Sequence, residues 1–159
     1  MSRTLKDELR KRGPFASPAE EATLSIVRTH DRMMIRFVRL FREFGLTPSQ
    51  YNILRILRGE GKPLPILEIA ERTITVVPGI TGLVDRLETA GFVERRRCAE
   101  DRRVIFVALT AKGTRILADL DGPIRMLHAQ LHRGLSANEI DKLIGLLAKV
   151  RATLDPDEP

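Results

Sequence analysis

The sequence predicts a mostly α-helical chain that carries one small β-hairpin. Serine or threonine is followed three residues later by glutamate or glutamine at Ser17, Thr47 and Ser136, a pattern typical of helix starts. Apolar residues recur at helical spacing after each of these starts. Directly after Gly91 the apolar period changes to two, which indicates strands. These observations favour a helical protein in which a single hairpin follows a helix.

Length and composition limit the class of protein further. A chain of 159 residues is long enough for one domain with its core. With 27 Lys and Arg against 21 Asp and Glu, the formal charge of +6 favours polyanionic partners such as nucleic acid. No apolar run approaches the ~20 residues that span a bilayer, and the N-terminus lacks the apolar stretch of a signal peptide. We therefore expect a cytoplasmic protein without a membrane partner.

The first long helix is predicted to start after Ser17 and to end at Phe44, with Gly45 as its stop. It carries two apolar flanks, one formed by Leu24, Val27, Met34, Val38 and Phe41, the other by Ile26, Met33, Phe37, Leu40 and Phe44. A helix with two apolar flanks must face two bodies. In a chain of this size, we expect one of those bodies to be a second subunit.

Two shorter helices are predicted next. The first opens at Thr47 and runs to about Arg58, and a turn-rich link with a very short strand around Leu64 follows it. The second runs from Ile66 to about Arg72. Its apolar residues are expected to be buried: Leu67, Ile69 and Ala70.

The helix before the hairpin has one apolar and one polar face. Its core positions recur with helical period, and Gly91 is placed to end it as a left-handed C-cap. Thr75 is the only conventional capping side chain near its start. The other face is small and polar at first and charged further along, so it can enter a groove. The candidate contact residues are Thr75, Pro78, Gly79, Thr81, Gly82 and Arg86.

The hairpin is basic. Its strands are predicted from Phe92 to Arg97 and from Arg103 to Leu109, joined by the tip from Cys98 to Arg102. Arginines outnumber acidic residues along it, and the candidate contact residues are Arg95, Arg96, Arg97, Asp101, Arg102 and Arg103. A helix followed by a basic hairpin is typical of a winged helix.

This segment resembles the winged helix-turn-helix of the MarR (multiple antibiotic resistance regulator) family of bacterial transcription factors. Three motifs carry the resemblance: Leu67-Glu68-Ile69-Ala70-Glu71-Arg72, then Leu83-Val84-Asp85-Arg86-Leu87-Glu88 with Gly91, and Asp101-Arg102-Arg103 followed by Val107, Leu109, Thr110 and Gly113. The resemblance implies one protomer over residues 1–159. Within it, residues 47–110 form the DNA-binding region and residues 17–45 and 111–155 form dimerisation helices.

The resemblance also implies a function. We expect a homodimeric regulator, with a repressor favoured, that binds a palindromic operator in double-stranded DNA. Arg103, supported by Arg102, would enter the minor groove, while Thr81 would enter the major groove. In the family, a long polar side chain that reads bases often occupies the position of Gly82. A small phenolic or aromatic acid is the expected effector, bound beside His30, Met34 and Tyr51.

The C-terminal helices complete the prediction. Thr110 can cap a helix from Ala111, and a kink or break is expected at Gly122-Pro123, because proline removes a donor and clashes with the preceding turn. A last helix starts after Ser136, and its apolar stripe is Ile140, Leu143, Ile144, Leu147, Val150 and Leu154. This stripe is more than a small winged domain can cover, which again favours a dimer.

The residues that could carry other chemistry are few. His128 and His132 have the spacing of a two-histidine metal face, but no third ligand accompanies them. Cys98 is close to arginines that could lower its pKa, and an inert surface thiol is the simpler interpretation. His30 is either an effector contact or a partly buried core histidine. We therefore predict no enzyme, no metal and no cofactor. A winged helix used only for protein contacts is the alternative function.

Overall fold

Helices dominate the structure. The computed structural model describes residues 3–75, 79–97 and 104–154. The helices of these ranges are α1 (Leu5–Glu8), α2 (Pro18–Glu43), α3 (Pro48–Glu60), α4 (Ile66–Glu71), α5 (Ile80–Thr89), α6 (Ala111–Leu131) and α7 (Ala137–Ala152), and the strands are β1 (Leu64–Pro65), β2 (Val93–Arg97) and β3 (Ile105–Leu109). The predicted fold class, mostly helical with a small hairpin, is confirmed. The chain divides into two compact units, residues 1–119 and 120–159.

The predicted helix starts are confirmed by their caps. Thr47 Oγ1 accepts a hydrogen bond from the Gln50 N–H at 3.2 Å, and the Gln50 side chain accepts one from the Thr47 N–H at 2.9 Å. Ser136 and Glu139 make the same reciprocal pair. At α2 only half of the motif forms: Ser17 accepts from the Glu20 N–H at 3.1 Å. The carboxylate of Glu20 accepts instead from the N–H of Ala16.

The sheet has the strand order β1-β3-β2, and both pairings are antiparallel. The pair β2 and β3 is the predicted wing, with Val93 opposite Leu109 and Arg97 opposite Ile105. The short strand β1, predicted around Leu64, pairs Leu64 with Val107. The sheet therefore joins the start of α4 to the base of the wing.

The core of residues 1–119 lies between α3, the support helix α4, α5 and the sheet. Its fully buried side chains are Ile53, Leu54, Leu64, Ile69, Val84, Leu87, Val93, Val107 and Leu117. The prediction that Leu67 is buried is wrong, since this side chain is 76% exposed while Ile69 is 0% exposed. Residues two apart point to different sides of a helix, and α4 buries only the side of Ile69.

Two helix ends differ from the prediction. Helix α3 continues two residues past Arg58, to Glu60, because Gly61, rather than Gly59, takes the left-handed conformation with φ 71°. Helix α6 runs without a break from Ala111 to Leu131 with Pro123 inside it, so of the predicted kink or break the break is wrong, and the kink stays a prediction. A proline ring clashes with the Cβ of the residue before it. Gly122 has no Cβ, which removes that clash.

Candidate nucleic-acid interface

Helix α5 presents one face to the core and the other to solvent. Val84 and Leu87 are fully buried. Thr81, Asp85 and Arg86 are exposed, and Gly82 is half-buried between them. The helix that the sequence predicts as the DNA-reading element therefore has the predicted faces.

Gly79 is the N-cap of α5. It has φ 73° and ψ 41°, a left-handed conformation that glycine adopts without steric cost. Among the described residues no side chain caps this end, and the first turn is closed by N–H bonds from Gly82 and Leu83 to the Gly79 carbonyl, at 3.0 and 3.4 Å. The carbonyl of Thr75 accepts a bond from the Thr73 hydroxyl at 2.8 Å. Thr75, the conventional capping side chain nearest the predicted start, therefore does not cap α5, and its predicted contact with DNA stays a prediction.

Gly82 has open space where a side chain would be. A Cβ built there would lie 3.9 Å from Nη2 of Arg86, and no other side chain of the described residues comes within 4 Å. Glycine in a helix interior costs about 1 kcal/mol relative to alanine. Close packing within the described chain, which could have explained this glycine, is absent.

Arg95 connects the wing to α5. Its guanidinium pairs with Asp85 and with Glu88, both at 2.6 Å, and its backbone N–H donates to Glu88 at 2.9 Å. A longer bond of 3.4 Å reaches the Thr81 carbonyl. The side chain is only 20% exposed. Arg95 is therefore turned toward α5, and its predicted contact with DNA stays a prediction.

The ion pairs of this cluster favour the charged form of Arg95. Burial lowers the pKa of Arg95, but hydrogen bonds to Asp85 and Glu88, and their negative charges, outweigh burial and raise the pKa above its ordinary value. The guanidinium is always protonated in any case. Arg95 thus offsets one of the two negative charges that Asp85 and Glu88 place on the helix and that would repel a polyanion.

Two more of the predicted wing residues, Arg96 and Arg97, lie on β2, the edge strand of the sheet. Arg96 is exposed and pairs with Glu94 through Nε at 2.8 Å. Arg97 is also exposed. Asp101, Arg102 and Arg103, like Cys98 and Pro78, lie outside the described residues, and their predicted roles stay predictions.

Thr110 ties the first turn of α6 to the end of α5. Its hydroxyl donates to the Gly91 carbonyl at 2.7 Å and accepts from the Gly113 N–H at 3.0 Å. A Cβ on Gly113 would lie 2.1 Å from the carbonyl oxygen of Phe92, so only glycine allows this approach. Thr110 is the predicted cap of α6, whereas the contact of Gly113 could not be predicted, because no local pattern reveals it.

Lys112 adds a second tie at the same point. Its ammonium donates to the Ala90 carbonyl at 2.7 Å and lies 4.9 Å from the centre of the Phe92 ring. A cation near a helix C-terminus interacts favourably with the carbonyl ends of that helix. The end of α5, the base of the wing and the start of α6 therefore form one junction.

The three predicted effector contacts are spread along α2 and α3. Tyr51 stacks on Phe41 with ring centroids 4.4 Å apart, and Phe41 stacks on Phe37 at 5.9 Å. His30 is exposed and Met34 is half-buried. At 1.5 Å per residue, His30 lies about 16 Å along α2 from Phe41. The effector site stays a prediction.

In the ranges 3–75, 79–97 and 104–154, no group of three or more His, Cys, Asp or Glu side chains could hold a metal ion. Within the same ranges, no helix is both long and apolar enough to cross a bilayer.

The helix pair α4 and α5, followed by a hairpin with arginines, defines a winged helix-turn-helix protein. The model of the MarR family matches residues 46–105. YkoM, an HTH-type transcriptional regulator of Bacillus subtilis, is 35% identical over 113 residues, which are 70% of this chain and 72% of YkoM. The crystal structure of a MarR transcription factor from Planctomyces limnophilus is 41% identical, with a TM-score of 0.67, over 85% of this chain and 98% of that one.

The chain belongs to the MarR family. It is a DNA-binding transcriptional regulator and not an enzyme. A more distant neighbour shares the fold: BpsR of Bordetella bronchiseptica, whose DNA binding is regulated by 6-hydroxynicotinic acid, is 21% identical with a TM-score of 0.74 over 83% of this chain and 99% of BpsR.

Proposed function

We propose that the protein is a homodimer that binds a palindromic operator in double-stranded DNA and that a small aromatic acid modulates this binding. The observation that carries the proposal is the charge arrangement on α5. Arg86 is exposed, whereas Asp85 and Glu88 are paired with Arg95. With both carboxylates ion-paired, Arg86 is the exposed positive charge of α5 that can approach a groove lined by phosphates.

The wing supplies the second contact in this proposal. Arg97 is exposed at the end of β2, where the chain enters the tip. Beyond it, Arg102 and Arg103 would reach the minor groove, whose negative potential attracts guanidinium groups most strongly at A·T-rich sequence. Asp101 would bridge back to an arginine and hold the tip. A protein with this partner works where the chromosome is, in the cytoplasm.

Dimerisation is supported by apolar side chains that the single chain leaves uncovered. On α2 they include Val27, which is 59% exposed, together with Ile26, Ile35 and Val38. No residue of α7 is buried, and Ile144 is 58% exposed. Apolar surface of this kind marks an interface with another protein. A two-fold dimer would present two copies of α5, and half-sites one helical turn, ~34 Å, apart would follow.

The effector proposal rests on the aromatic stack and on the fold. A row of three stacked rings lies where α2 meets α3, formed by Phe37, Phe41 and Tyr51. Flat aromatic acids suit such a surface because rings stack on rings. BpsR, which shares the fold, responds to 6-hydroxynicotinic acid. Of the proposed contacts, Tyr51 belongs to this stack, whereas His30 and Met34, earlier on α2, are kept as proposed contacts from the sequence alone.

The test uses the full chain and two DNA pools, genomic fragments and random duplexes. We expect a mass of twice 17.9 kDa by light scattering, binding that weakens as salt rises, and selected fragments that share an inverted repeat. Arg86→Ala should weaken binding. Arg133→Ala, which removes the same charge from the segment 120–159, serves as the control. A chain that binds no duplex at low salt would favour the alternative, a winged helix for protein contacts.

A further inference from the structure

Gly82 lies in the first turn of α5, half-buried beside the exposed Thr81 and Arg86, and the described part of the fold does not require it. Apart from neighbouring backbone of the helix, the contact of a Cβ there with the described residues is with Nη2 of Arg86, at the ordinary distance of 3.9 Å. By contrast, a Cβ on Gly113 would overlap backbone at 2.1 Å. Glycine also weakens a helix interior relative to every residue except proline. The missing side chain at position 82 therefore points to a partner outside the chain.

The side chain of Arg86 extends into the space beside Gly82. It follows Gly82 by one helical turn, and long side chains on a helix lean toward its N-terminus. The distance of 3.9 Å shows that the guanidinium of Arg86 lies back over the bare backbone of Gly82. The charged group thus lies beside the first turn of α5, well before its own Cα.

Arg86 is also the available charge of this helix. Asp85 and Glu88 are held by Arg95, at 2.6 Å each. In the described part of the chain, Arg86 forms no ion pair with either of them. Its guanidinium is therefore exposed and ready to bind an external acceptor.

We propose that Arg86 is the base-reading side chain of α5 and that Gly82 provides the clearance it needs. This inference rests on the proposed DNA binding and names the recognised group: the guanine edge in the major groove. A guanidinium forms two parallel hydrogen bonds with O6 and N7 of guanine, the commonest specific contact of this kind. A longer side chain at position 82 would fill the space in which the guanidinium and the base meet.

The competing role for Arg86 is a contact with a DNA phosphate. A phosphate contact depends mainly on charge, so lysine can replace arginine. A base contact depends on the planar fork of donors, which lysine lacks. The two roles therefore separate in Arg86→Lys, which keeps the positive charge.

The experiment selects bound sequences from a pool of random duplexes with the wild-type chain, Arg86→Lys and Gly82→Met. Methionine is a good helix former, so Gly82→Met should not unfold α5. Gly59→Met is the matched control, because Gly59 lies within α3 and has no atom within 4 Å of its Cβ position. Affinity for a selected and a random duplex is measured at several salt concentrations.

We expect the wild type to select guanine at a fixed position of each half-site. Arg86→Lys and Gly82→Met should each reduce that preference by about tenfold or more, while the salt dependence of binding stays unchanged. Gly59→Met should keep the wild-type preference. If the wild type binds DNA but both variants keep its guanine preference, or if Arg86→Lys binds as the wild type does, the inference fails alone. If the wild type binds no duplex, the proposed function fails with it.

Discussion

The guanidinium of Arg95 in β2 bridges two carboxylates of α5, with Nη2 2.6 Å from Asp85 Oδ1 and Nη1 2.6 Å from Glu88 Oε2. This bridge joins the two elements that face DNA in the proposed function. Arg95 lies on the same side of β2 as the buried Val93, because residues two apart on a strand share a face. Its position is therefore set by the sheet as well as by the ion pairs.

Replacing Arg95 with methionine should loosen this junction. We expect a loss of about 1 kcal/mol in the free energy of unfolding, because the partners are partly exposed and solvent screens the charges. DNA affinity should fall as well, since Asp85 and Glu88 become unpaired on α5. Arg96→Met, which removes an exposed arginine paired with Glu94, is the control for charge. Urea unfolding and a duplex titration measure both effects, and equal losses in the two variants would contradict the bridge.

Gly113→Ala should destabilise the protein strongly. The new Cβ would lie 2.1 Å from the Phe92 carbonyl oxygen and 3.0 Å from Cδ2 of Leu109, so backbone must move. Overpacking of this severity costs about 3 kcal/mol or more. Gly59→Ala, at a helical glycine with open space, should be neutral or stabilising. Thermal unfolding of the two variants decides the matter, and a Gly113→Ala protein as stable as wild type would rule out the close approach.

The two glycines of α5 should respond to alanine with opposite signs. Gly79 has φ 73°, where a Cβ costs roughly 1–2 kcal/mol, so Gly79→Ala should lower stability. Gly82 has helical backbone and open space, so Gly82→Ala should raise stability by up to about 1 kcal/mol. Denaturant unfolding of both variants gives the two signs. The same sign for both would mean that the backbone at Gly79 differs from the one described.

Acid should remove the contribution of Glu60. Hydrogen bonds from Arg72 and then Lys62 hold the pKa of the Glu60 carboxyl below its ordinary value of 4.5. A folded pKa below the unfolded one means that the stabilisation is present above pH 4.5 and is lost as the pH falls through the lower folded value. The stability difference between wild type and Glu60→Gln should therefore shrink in that range.

Unfolding curves of both proteins from neutral pH to about pH 3 measure the Glu60 contribution. Glu71→Gln, which removes a carboxylate of α4 outside any ion pair of the described residues, provides the comparison. A difference between wild type and Glu60→Gln that stays constant with pH would show that the Arg72 contact is not electrostatic.

A polar side chain on α7 should separate dimerisation from folding. Ile144 is exposed in the single chain, so Ile144→Asn should leave the fold of one chain unchanged while it weakens a dimer that buries this position. Lys142→Asn is the control at an exposed polar position of the same helix. Light scattering over a dilution series gives the dissociation constants. If both variants dissociate as the wild type does, the interface does not include the α7 stripe.

Local features of this fold could be predicted from the sequence because local chemistry determines them. The caps at Thr47 and Ser136 need only residues three apart, and the change of period after Gly91 marks the step from helix to strand. Features that depend on distant residues could not be predicted. The close contact of Gly113 with Phe92 depends on how a strand and two helices meet.

Arg95 lies between these cases. The alternation along β2 places Arg95 with Val93 on the inner face, so its orientation could be predicted from the sequence. Its basic neighbours instead suggested that it faces outward with them. Leu67 shows the opposite error. Its apolar side chain suggested burial, but a helix of six residues that packs through one side leaves it in solvent.

The junction at Gly91 and Phe92 has a mechanical consequence. Lys112 donates a hydrogen bond to the Ala90 carbonyl at the end of α5, and Thr110 donates one to the Gly91 carbonyl just before the wing. Arg95 links the wing to α5 through its ion pair with Glu88. Helix α5 and the wing are therefore held together at two points, one at the end of α5 and one along it. In the proposed dimer, an effector signal that reached the first turn of α6 would move α5 and the wing together as one rigid unit. Control of DNA binding would then lie in the distance between the two DNA-binding regions, while the shape of each stays constant.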